Sequence, residues 1–478
     1  MGGIDLLVMV VYFVAVITIG TYFTGQQKDA ADYFLGRHAI PWWAVMLSVV
    51  ATETSALTVI SIPGIAARGN LTFLQLPLGY LVGRVGVALW LLPGYFRGEQ
   101  ETAYTRLEIR FGKATRRMAS AIFMSIRALG DSVRVFATAI PLHIVTGLSI
   151  SWCVIIVAAA TLAYTLAGGI KAVIWVDVVQ MGIYLVAGIA AILVAISLLG
   201  DTGSFISSAM ESGKLKVIDW DLSFSRTYTL MGGLIGGALL SAASHGTDHL
   251  TVQRLLATRS LTDARRALVG SGILVIIQFG IFLIVGTLLW AVGADDPSLS
   301  GDELFPTFVV NRLPVGLSGL VIAGIFAAAM STVSSSLNSL ASATTHDFYA
   351  SITGRDDARH LLTVGRVATL AWALVLSGGA LAFQSSDQPV VELALSISSI
   401  TYGGLLGTYI LGGISRRARQ GDAVTAIVVA TVSMVVIVLG KPGPLANLAW
   451  PWYVPLGTAI ALAAGLGPGW LRSMRGQE

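Results

Sequence analysis

A row of hydroxyl side chains lies inside an apolar stretch of the sequence, AAAMSTVSSSLNS at 327–339. If this segment is helical, Ser331, Ser334 and Ser335 share one face, with Ala328 one turn earlier and Thr332 beside them. Hydroxyl oxygens can replace the hydration shell of a cation without adding formal charge, so the pattern suits a monovalent ion. The alternative is that these small residues only let helices pack closely.

A second polar stretch, SVVATETSALTVISIPG at 48–64, interrupts another apolar segment. Backbone that leaves the helix at membrane depth is tolerated around a protein-lined cavity, where its carbonyls become available as ligands. Ala51 follows Pro41 by ten residues, about 15 Å along a helix, which is half the thickness of the hydrocarbon core. Ser331 is near the middle of its own segment. The break and the hydroxyl row therefore share a depth and predict an ion cage.

Two carboxylates stand within apolar segments, where a charge is costly and usually functional. Asp177 could complete a second ion site with Ser334 and Ser335, or pair with a basic residue as a structural latch. Glu53 could face solute, be protonated, or pair with an arginine such as Arg134.

In the segment that contains Arg134, Arg127 and Asp131 are spaced i, i+4, and Asp131 and Arg134 are spaced i, i+3. This spacing predicts ion pairs within one helix. Pairs of this kind more often hold structure than bind substrate.

The motif HGTDH at 245–249 has the outline of a metal-binding histidine pair. Its glycine weakens the helix that such a pair needs, and the sequence offers no third ligand. The other histidines are scattered without a nucleophile beside them. We therefore expect no enzyme and no metal centre.

Composition places these segments in a lipid bilayer. Of the 478 residues, 55% are hydrophobic and 12% are charged, and the mean hydropathy is +0.78. Soluble domains carry roughly 25% charged residues. The net charge of +4 does not indicate a nucleic-acid partner, because the basic residues collect in alternate connections between apolar segments. The sequence does not indicate an oligomeric state.

The hydropathy pattern predicts an all-α polytopic membrane protein with about thirteen transmembrane helices, at 4–24, 41–65, 73–96, 117–146, 150–168, 174–199, 229–253, 267–292, 314–345, 361–384, 390–412, 422–440 and 451–470. The positive-inside rule puts the N-terminus outside and the C-terminus in the cytoplasm. We expect the plasma membrane, the inner membrane of a bacterium.

Two of these spans look interrupted, the second (41–65) and the seventh (229–253), which contains Gly232, Gly233, Gly236 and Gly237. Interrupted helices at corresponding positions of two repeats point to a transporter's binding site. We therefore predict one membrane domain over 1–478, made of a peripheral helix (4–24), a first repeat (41–199), an inverted second repeat (229–412) and two peripheral helices (422–470).

Several motifs, in this order, resemble the sodium:solute symporter family, which contains the sodium-coupled sugar, proline, iodide, vitamin and sialic-acid carriers. They are DYFLGRHAIPWW (32–43), TAYTRLEIRFG (102–112), GGIKAVIWVDVVQ (168–180), GTDHLTVQR (246–254) and IFAAAMSTVSSSLNS (325–339). The resemblance implies a LeuT-type fold of five-plus-five inverted repeats and Na⁺ as the coupling ion.

The resemblance also implies ligands. A principal sodium site would use backbone oxygens of Ala51 and Thr54 with Ala328, Ser331 and Thr332. A second sodium site, present in some members, would use Asp177, Ser331, Ser334 and Ser335.

The residues that would contact solute match those of the family less completely. Ser55 and Thr58 match residues that contact solute in the sialic-acid carriers, and Gln75 is expected to line the same cavity with Glu53 and Arg134. The arginine that holds the sialate carboxylate corresponds to Gly130, which argues against sialic acid.

The sequence therefore predicts sodium-coupled symport of a small polar solute by alternating access. Two alternatives remain open. Proton coupling could run through Glu53 or Asp177, and a solute sensor could use the carrier fold.

Overall fold

The computed structural model describes residues 2–22, 29–97, 102–383 and 389–474, and the statements below concern these residues. They form twenty α-helices: α1 Gly3–Tyr22, α2 Ala30–Leu35, α3 Trp42–Glu53, α4 Ala56–Arg68, α5 Gln75–Gly86, α6 Leu92–Tyr95, α7 Thr105–Phe111, α8 Lys113–Thr146, α9 Ile150–Leu198, α10 Thr202–Glu211, α11 Gly237–Gly246, α12 His249–Leu256, α13 Leu261–Ala291, α14 Gly301–Arg312, α15 Leu317–Ala343, α16 Ser351–Thr353, α17 Ala358–Ala382, α18 Val390–Ile414, α19 Gln420–Gly440 and α20 Tyr453–Met474. Within the described ranges the β-structure is a single bridge between Ile40 and Thr258.

Eight helical segments of the described chain are long and apolar enough to cross a membrane, and the bent pair α3–α4 makes a ninth. Each of the thirteen predicted segments overlaps a helix, although the number of crossings stays a prediction. The outer face of α1 exposes Leu6, Leu7, Val10, Val11 and Val14, as expected of a helix in contact with lipid.

The two predicted interruptions are present in the structure. The chain bends by 60° between α3 and α4, where Thr54 leaves helical geometry. Thr247 and Asp248 separate α11 from α12, and Gly232–Gly236 forms a π-helical turn just before α11. Pro63 does not add to the first break, because α4 continues through it.

The predicted boundary between the fifth and sixth spans is present as a kink at Gly169, where two helical segments meet without an intervening loop. Ile150–Leu198 is continuous except at Gly169, which has φ +60° and ψ −158°. A Cβ at this position would lie 2.7 Å from the carbonyl oxygen of Tyr33, so the close approach as well as the dihedral angle requires glycine. The sequence prediction missed α14, a helix of 12 residues within a connection.

The hydroxylated helix α15 lies at the centre of the molecule. Nearly all of its residues are buried, and it packs against α9, α8, α1 and α17. On another side it contacts α3, α4 and α12, the segments that flank the two breaks. The hydroxyl row therefore faces protein, and lipid does not reach it.

Candidate ion and solute sites

The break after α3 lies against the hydroxylated face of α15. The amide of Ser55 donates to the carbonyl of Glu53 (3.0 Å), so it is not available to the carbonyl of Ala51, four residues before it. The hydroxyl of Thr332 is 3.2 Å from the carbonyl oxygen of Thr52 and 3.3 Å from that of Ala328. Three oxygens from two helices thus converge one residue along the chain from Ala51, whose carbonyl lacks the helical bond from Ser55.

Two other residues predicted for this cage have side chains in separate surroundings. The hydroxyl of Thr54 donates to Oε1 of Gln278 (2.6 Å), which also accepts from Tyr184 (3.0 Å). The hydroxyl of Ser331 donates to Oδ1 of Asp177 (2.6 Å). The structure therefore does not bring these two hydroxyls together, and Thr54 can reach the cage only through its backbone.

Asp177 is fully buried between three helices. Besides Ser331 on α15, its carboxylate accepts from the hydroxyl of Ser48 on α3 (2.5 Å) and from Nη2 of Arg254 on α12 (3.5 Å). Asp177 therefore pairs with a basic residue, which is one of the two alternatives considered above, while a second ion site at this carboxylate stays a prediction.

The remaining serines of the predicted second site make different contacts. Ser335 accepts a hydrogen bond from Arg254 and lies 3.0 Å from the hydroxyl of Thr52, while its own hydroxyl donates to the carbonyl of Ser331 (2.6 Å). Ser334 donates to the same carbonyl (3.0 Å). The Asp177 cluster therefore contains Ser331 and Ser335, joined through Arg254, while Ser334 is bonded to its own helix.

A cavity of about 80 Å³ lies beside the α3 break. Its lining is polar on most sides and includes both signs of charge; the lining residues are Thr52, Glu53, Tyr80, Arg127, Arg134, Leu240, Ser244, His245, Leu250, Thr251, Leu395, Ser398 and Tyr402. Glu53 and Arg134, both predicted to contact solute, line this one space.

Glu53 pairs with Arg84 and not with Arg134, which corrects the contact considered above. Arg84 donates to the Glu53 carboxylate and, through Nη1, to the hydroxyl of Ser271 (2.6 Å). Nε2 of His245 lies 3.6 Å from the same carboxylate. The Arg84 side chain is wholly buried, so it reaches Glu53 from behind the cavity wall.

The predicted ion pairs within α8 are confirmed, and they extend to a second helix. Asp131 pairs with Arg134 and with Arg127 (3.4 Å). Arg127 also pairs with Asp248 at the α11–α12 break (2.7 Å), and the hydroxyl of Tyr402 donates to the same carboxylate (2.6 Å). The network holds one wall of the cavity.

Three residues predicted to contact solute lie outside that lining. Gln75 donates to the carbonyls of Thr72 (3.0 Å) and Tyr228 (3.2 Å), so its amide closes a turn instead of facing the cavity. Ser55 is the N-cap of α4 and Thr58 lies in its first turn; both are buried, and neither lines the cavity.

The HGTDH histidines do not converge on a common point. His245 faces Glu53, whereas Nε2 of His249 lies 3.0 Å from the hydroxyl of Ser342 and its Nδ1 accepts from the amide of Ala103 (3.3 Å). Among the described residues no group of three His, Cys, Asp or Glu side chains could hold a metal ion.

Sequence reasoning missed the two most deeply buried arginines. Arg84 stands inside an apolar segment, LPLGYLVGRVGVALW, so its charge alone was a signal of function. Arg254 was assigned to a basic connection, yet its side chain has no solvent exposure. The break at Thr247 explains the difference, because it turns α12 into the protein.

The architecture is all-helical with a broken helix against a hydroxylated one, an arrangement found in ion-coupled secondary transporters. Residues 33–439 match the sequence model of the "Sodium:solute symporter family". The chain belongs to this family, whose members are transporters and not enzymes, and it is a sodium-coupled symporter of a small solute.

Individual relatives align over almost the whole chain. The "Sodium/sialic acid symporter SiaT" of Proteus mirabilis is 28% identical over 477 residues, which cover 97% of this chain and 94% of that protein. The "Sodium/sialic acid symporter NanT" of Aliivibrio fischeri is 29% identical, with 97% and 92% covered. The human "Sodium/iodide cotransporter" is 28% identical over 81% of this chain and 62% of its own length.

A solved structure of a Na⁺-coupled sialic acid symporter, in a substrate-bound outward-open state, superposes with a TM-score of 0.88 at 27% identity. The alignment covers 98% of both chains, and the shared fold is LeuT-like. Mhp1, a nucleobase-cation-symport-1 transporter, has a TM-score of 0.57 at 14% identity and supports the fold alone.

Proposed function

We propose that this symporter binds Na⁺ between the α3 break and α15 and uses it to drive uptake of a small polar solute by alternating access. The observation that carries the proposal is the position of Thr332, whose hydroxyl lies between the carbonyl oxygens of Thr52 and Ala328. The bent backbone and the hydroxylated helix thereby share one neutral group of oxygens, as a dehydrated monovalent cation requires.

The principal site would consist of backbone oxygens of Ala51, Thr54 and Ala328 with the hydroxyls of Ser331 and Thr332. A second site would use Asp177 and Ser335 with Ser331 and Ser334. For Ser331 to serve the principal site, its hydroxyl must turn away from Asp177, which it now contacts at 2.6 Å.

Sodium suits this chain better than protons because both carboxylates considered for proton coupling already have cationic partners. Glu53 is paired with Arg84, and Asp177 with Arg254. A carboxylate that carries protons through the cycle must be free to lose its charge, and a buried partner opposes that loss.

The cavity supports a solute that accepts hydrogen bonds at Arg134 and donates them to Glu53. Arg134 lines the cavity and its side chain is 15% exposed, so its guanidinium is accessible to a solute there. Two relatives are named sodium/sialic acid symporters. A sialate or another hydroxylated organic acid is therefore the first class of solute to test. In the sialic-acid carriers an arginine holds the sialate carboxylate, and Gly130 stands at the corresponding position here, which favours a different acid.

The cavity volume supports alternating access. At about 80 Å³ the space is much smaller than the roughly 300–1,000 Å³ of ordinary ligand pockets. Solute must therefore enter through a more open conformation.

We further propose thirteen crossings of the bacterial inner membrane, with the N-terminus outside, the C-terminus in the cytoplasm, and inverted repeats over 41–199 and 229–412.

The solute is found first, by thermal denaturation of the purified protein with sialic acids, monocarboxylates, sugars and amino acids in Na⁺ or K⁺. A solute that stabilises the protein in Na⁺ alone is then used for uptake into proteoliposomes. Activity driven by a pH gradient in sodium-free buffer would support proton coupling instead.

The cage is tested with Thr332→Ala. A hydrogen bond to a charged partner contributes about 1.5–3 kcal/mol, so we expect the apparent sodium affinity to fall about 10- to 150-fold. Ser336→Ala is the matched control, because this buried hydroxyl on the same helix has no hydrogen-bond partner among the described residues. An unchanged sodium affinity in Thr332→Ala would contradict the proposed cage.

A further inference from the structure

The short helix α12 joins the Asp177 cluster to the wall of the solute cavity. Asp248, its N-cap, accepts from the amide of Leu250 (2.9 Å) and from Arg127 and Tyr402 at the cavity. Arg254 lies six residues further on, about 9 Å along the helix axis. One rigid element thus has a buried ionic contact at each end.

Arg254 already donates hydrogen bonds to the oxygens that a cation would bind in the Asp177 cluster. Its Nη2 contacts Asp177 and Ser335, and its Nε donates to the hydroxyl of Ser48 (2.9 Å). Both Asp177 and Ser335 are among the oxygens proposed for a second sodium ion. A guanidinium and a Na⁺ carry the same charge, and in a buried cluster they exclude each other at contact distance.

We propose that Arg254 is a tethered cation that competes with the second Na⁺ for Asp177, and that its displacement moves α12. This inference rests on the proposed function. When sodium takes the Asp177 carboxylate, Arg254 keeps its bond to the carbonyl of Leu250 (2.9 Å) on its own helix. The helix thereby loses the contacts of Arg254 with α9 and α15, while His249 still contacts Ser342 on α15 (3.0 Å) and Asp248 still links the helix to the cavity.

Helix α12 has a helix break at the end where such a movement would begin. Thr247 and Asp248 separate it from α11, and α12 is eight residues long. Movement of α12 would carry Asp248 and therefore change its contacts with Arg127 and Tyr402. Arg254 is thus a positioning residue, which acts on the solute cavity through the helix that carries it.

The test uses the full chain purified in detergent, with Na⁺ alone as the probe and choline as the replacement. Equilibrium binding of radioactive sodium measures affinity and stoichiometry. Arg254→Gln removes the competing charge, and we expect the second sodium to bind about tenfold more tightly or better, as for other buried charge couplings. Arg254→Lys retains a cation and is expected to restore binding close to that of the unmodified chain. A sodium curve in Arg254→Gln that matches the unmodified protein would overturn the proposal.

Hydrogen exchange on the unmodified chain provides a test that does not depend on the folding of Arg254→Gln. We expect the amides of His249–Leu256 to exchange faster in Na⁺ than in choline, and Asp177→Asn to abolish that difference. Equal exchange in the two salts would refute the movement of α12. A failure of the proposed function is distinct, because it would appear as no sodium binding by the unmodified chain and no effect of Thr332→Ala.

Discussion

Replacing Glu53 by Gln tests how the solute cavity is held together. The Arg84 side chain has no solvent exposure, whereas that of Glu53 is 20% exposed at the cavity. Removing the carboxylate charge leaves a fully buried guanidinium whose other hydrogen-bond partner is Ser271. Removing Arg84 instead leaves a carboxylate that faces the cavity and lies 3.6 Å from His245. The two substitutions should therefore have unequal effects.

The magnitude follows from that difference in burial. Breaking a buried ion pair by removing one charge costs about 3–5 kcal/mol, chiefly because the other charge is left unpaired. We expect Glu53→Gln to reduce the free energy of unfolding within that range. Arg84→Met should cost less, about 1–3 kcal/mol, because cavity water can solvate the remaining carboxylate. In the double variant, the loss of unfolding free energy should be smaller than the sum of the two single losses, by about 1–3 kcal/mol.

The assay is the free energy of unfolding of the purified protein in mixed micelles, followed by circular dichroism during titration with a denaturing detergent. Ser336→Ala serves as the control for a buried substitution without a bonded partner. Equal losses for Glu53→Gln and Arg84→Met would refute the argument from burial. Additive losses in the double variant would show that the pair does not support the cavity wall.

Three further substitutions test the packing with the same titration. Asp5 caps α15 by accepting hydrogen bonds from the amides of Gly316 (2.6 Å) and Gly319 (3.0 Å). Asp5→Ala should therefore reduce the free energy of unfolding by about 1–2 kcal/mol. An unchanged free energy of unfolding would refute the cap. A Cβ on Gly79 would lie 2.1 Å from the carbonyl oxygen of Gly233, so Gly79→Ala should cost about 1–3 kcal/mol. Gly280 has open space inside α13, so Gly280→Ala should increase stability by about 0.5–1 kcal/mol. Equal effects at the two glycines would contradict the close packing of α5 against the π-helical turn before α11.

Hydropathy and residue spacing could predict much of this fold because they act locally. The thirteen apolar segments overlap helices, and the break at Thr54 follows from polar residues in the middle of an apolar segment. The ion pairs of Asp131 with Arg127 and Arg134 depend only on helical periodicity. Helical geometry alone also places the hydroxyls of α15 on one face.

The sequence could not predict which partner each buried charge meets, because those partners are distant in the chain. Asp177 contacts Ser48 and Arg254, which lie 129 and 77 residues away. Glu53 meets Arg84 and not Arg134, a choice set by how α5 packs beside the α3 break. At Gly169 the boundary between two spans could be predicted, but the sharp kink there depends on the close approach of Tyr33, which is distant in the chain.

One turn of α15 contributes residues to both proposed sodium sites, so binding at one site affects the other. Ser331 belongs to both sites, but its single hydroxyl donates to Asp177. Thr52 meets the same turn twice, through its carbonyl at Thr332 and its hydroxyl at Ser335. An ion that reorients either residue at one site must change the oxygens available at the other. Because binding free energies are reciprocal, occupancy of each site then alters the affinity of the other. The α3 break, which supplies Thr52 and borders the solute cavity, is therefore the element through which both ions can affect solute binding.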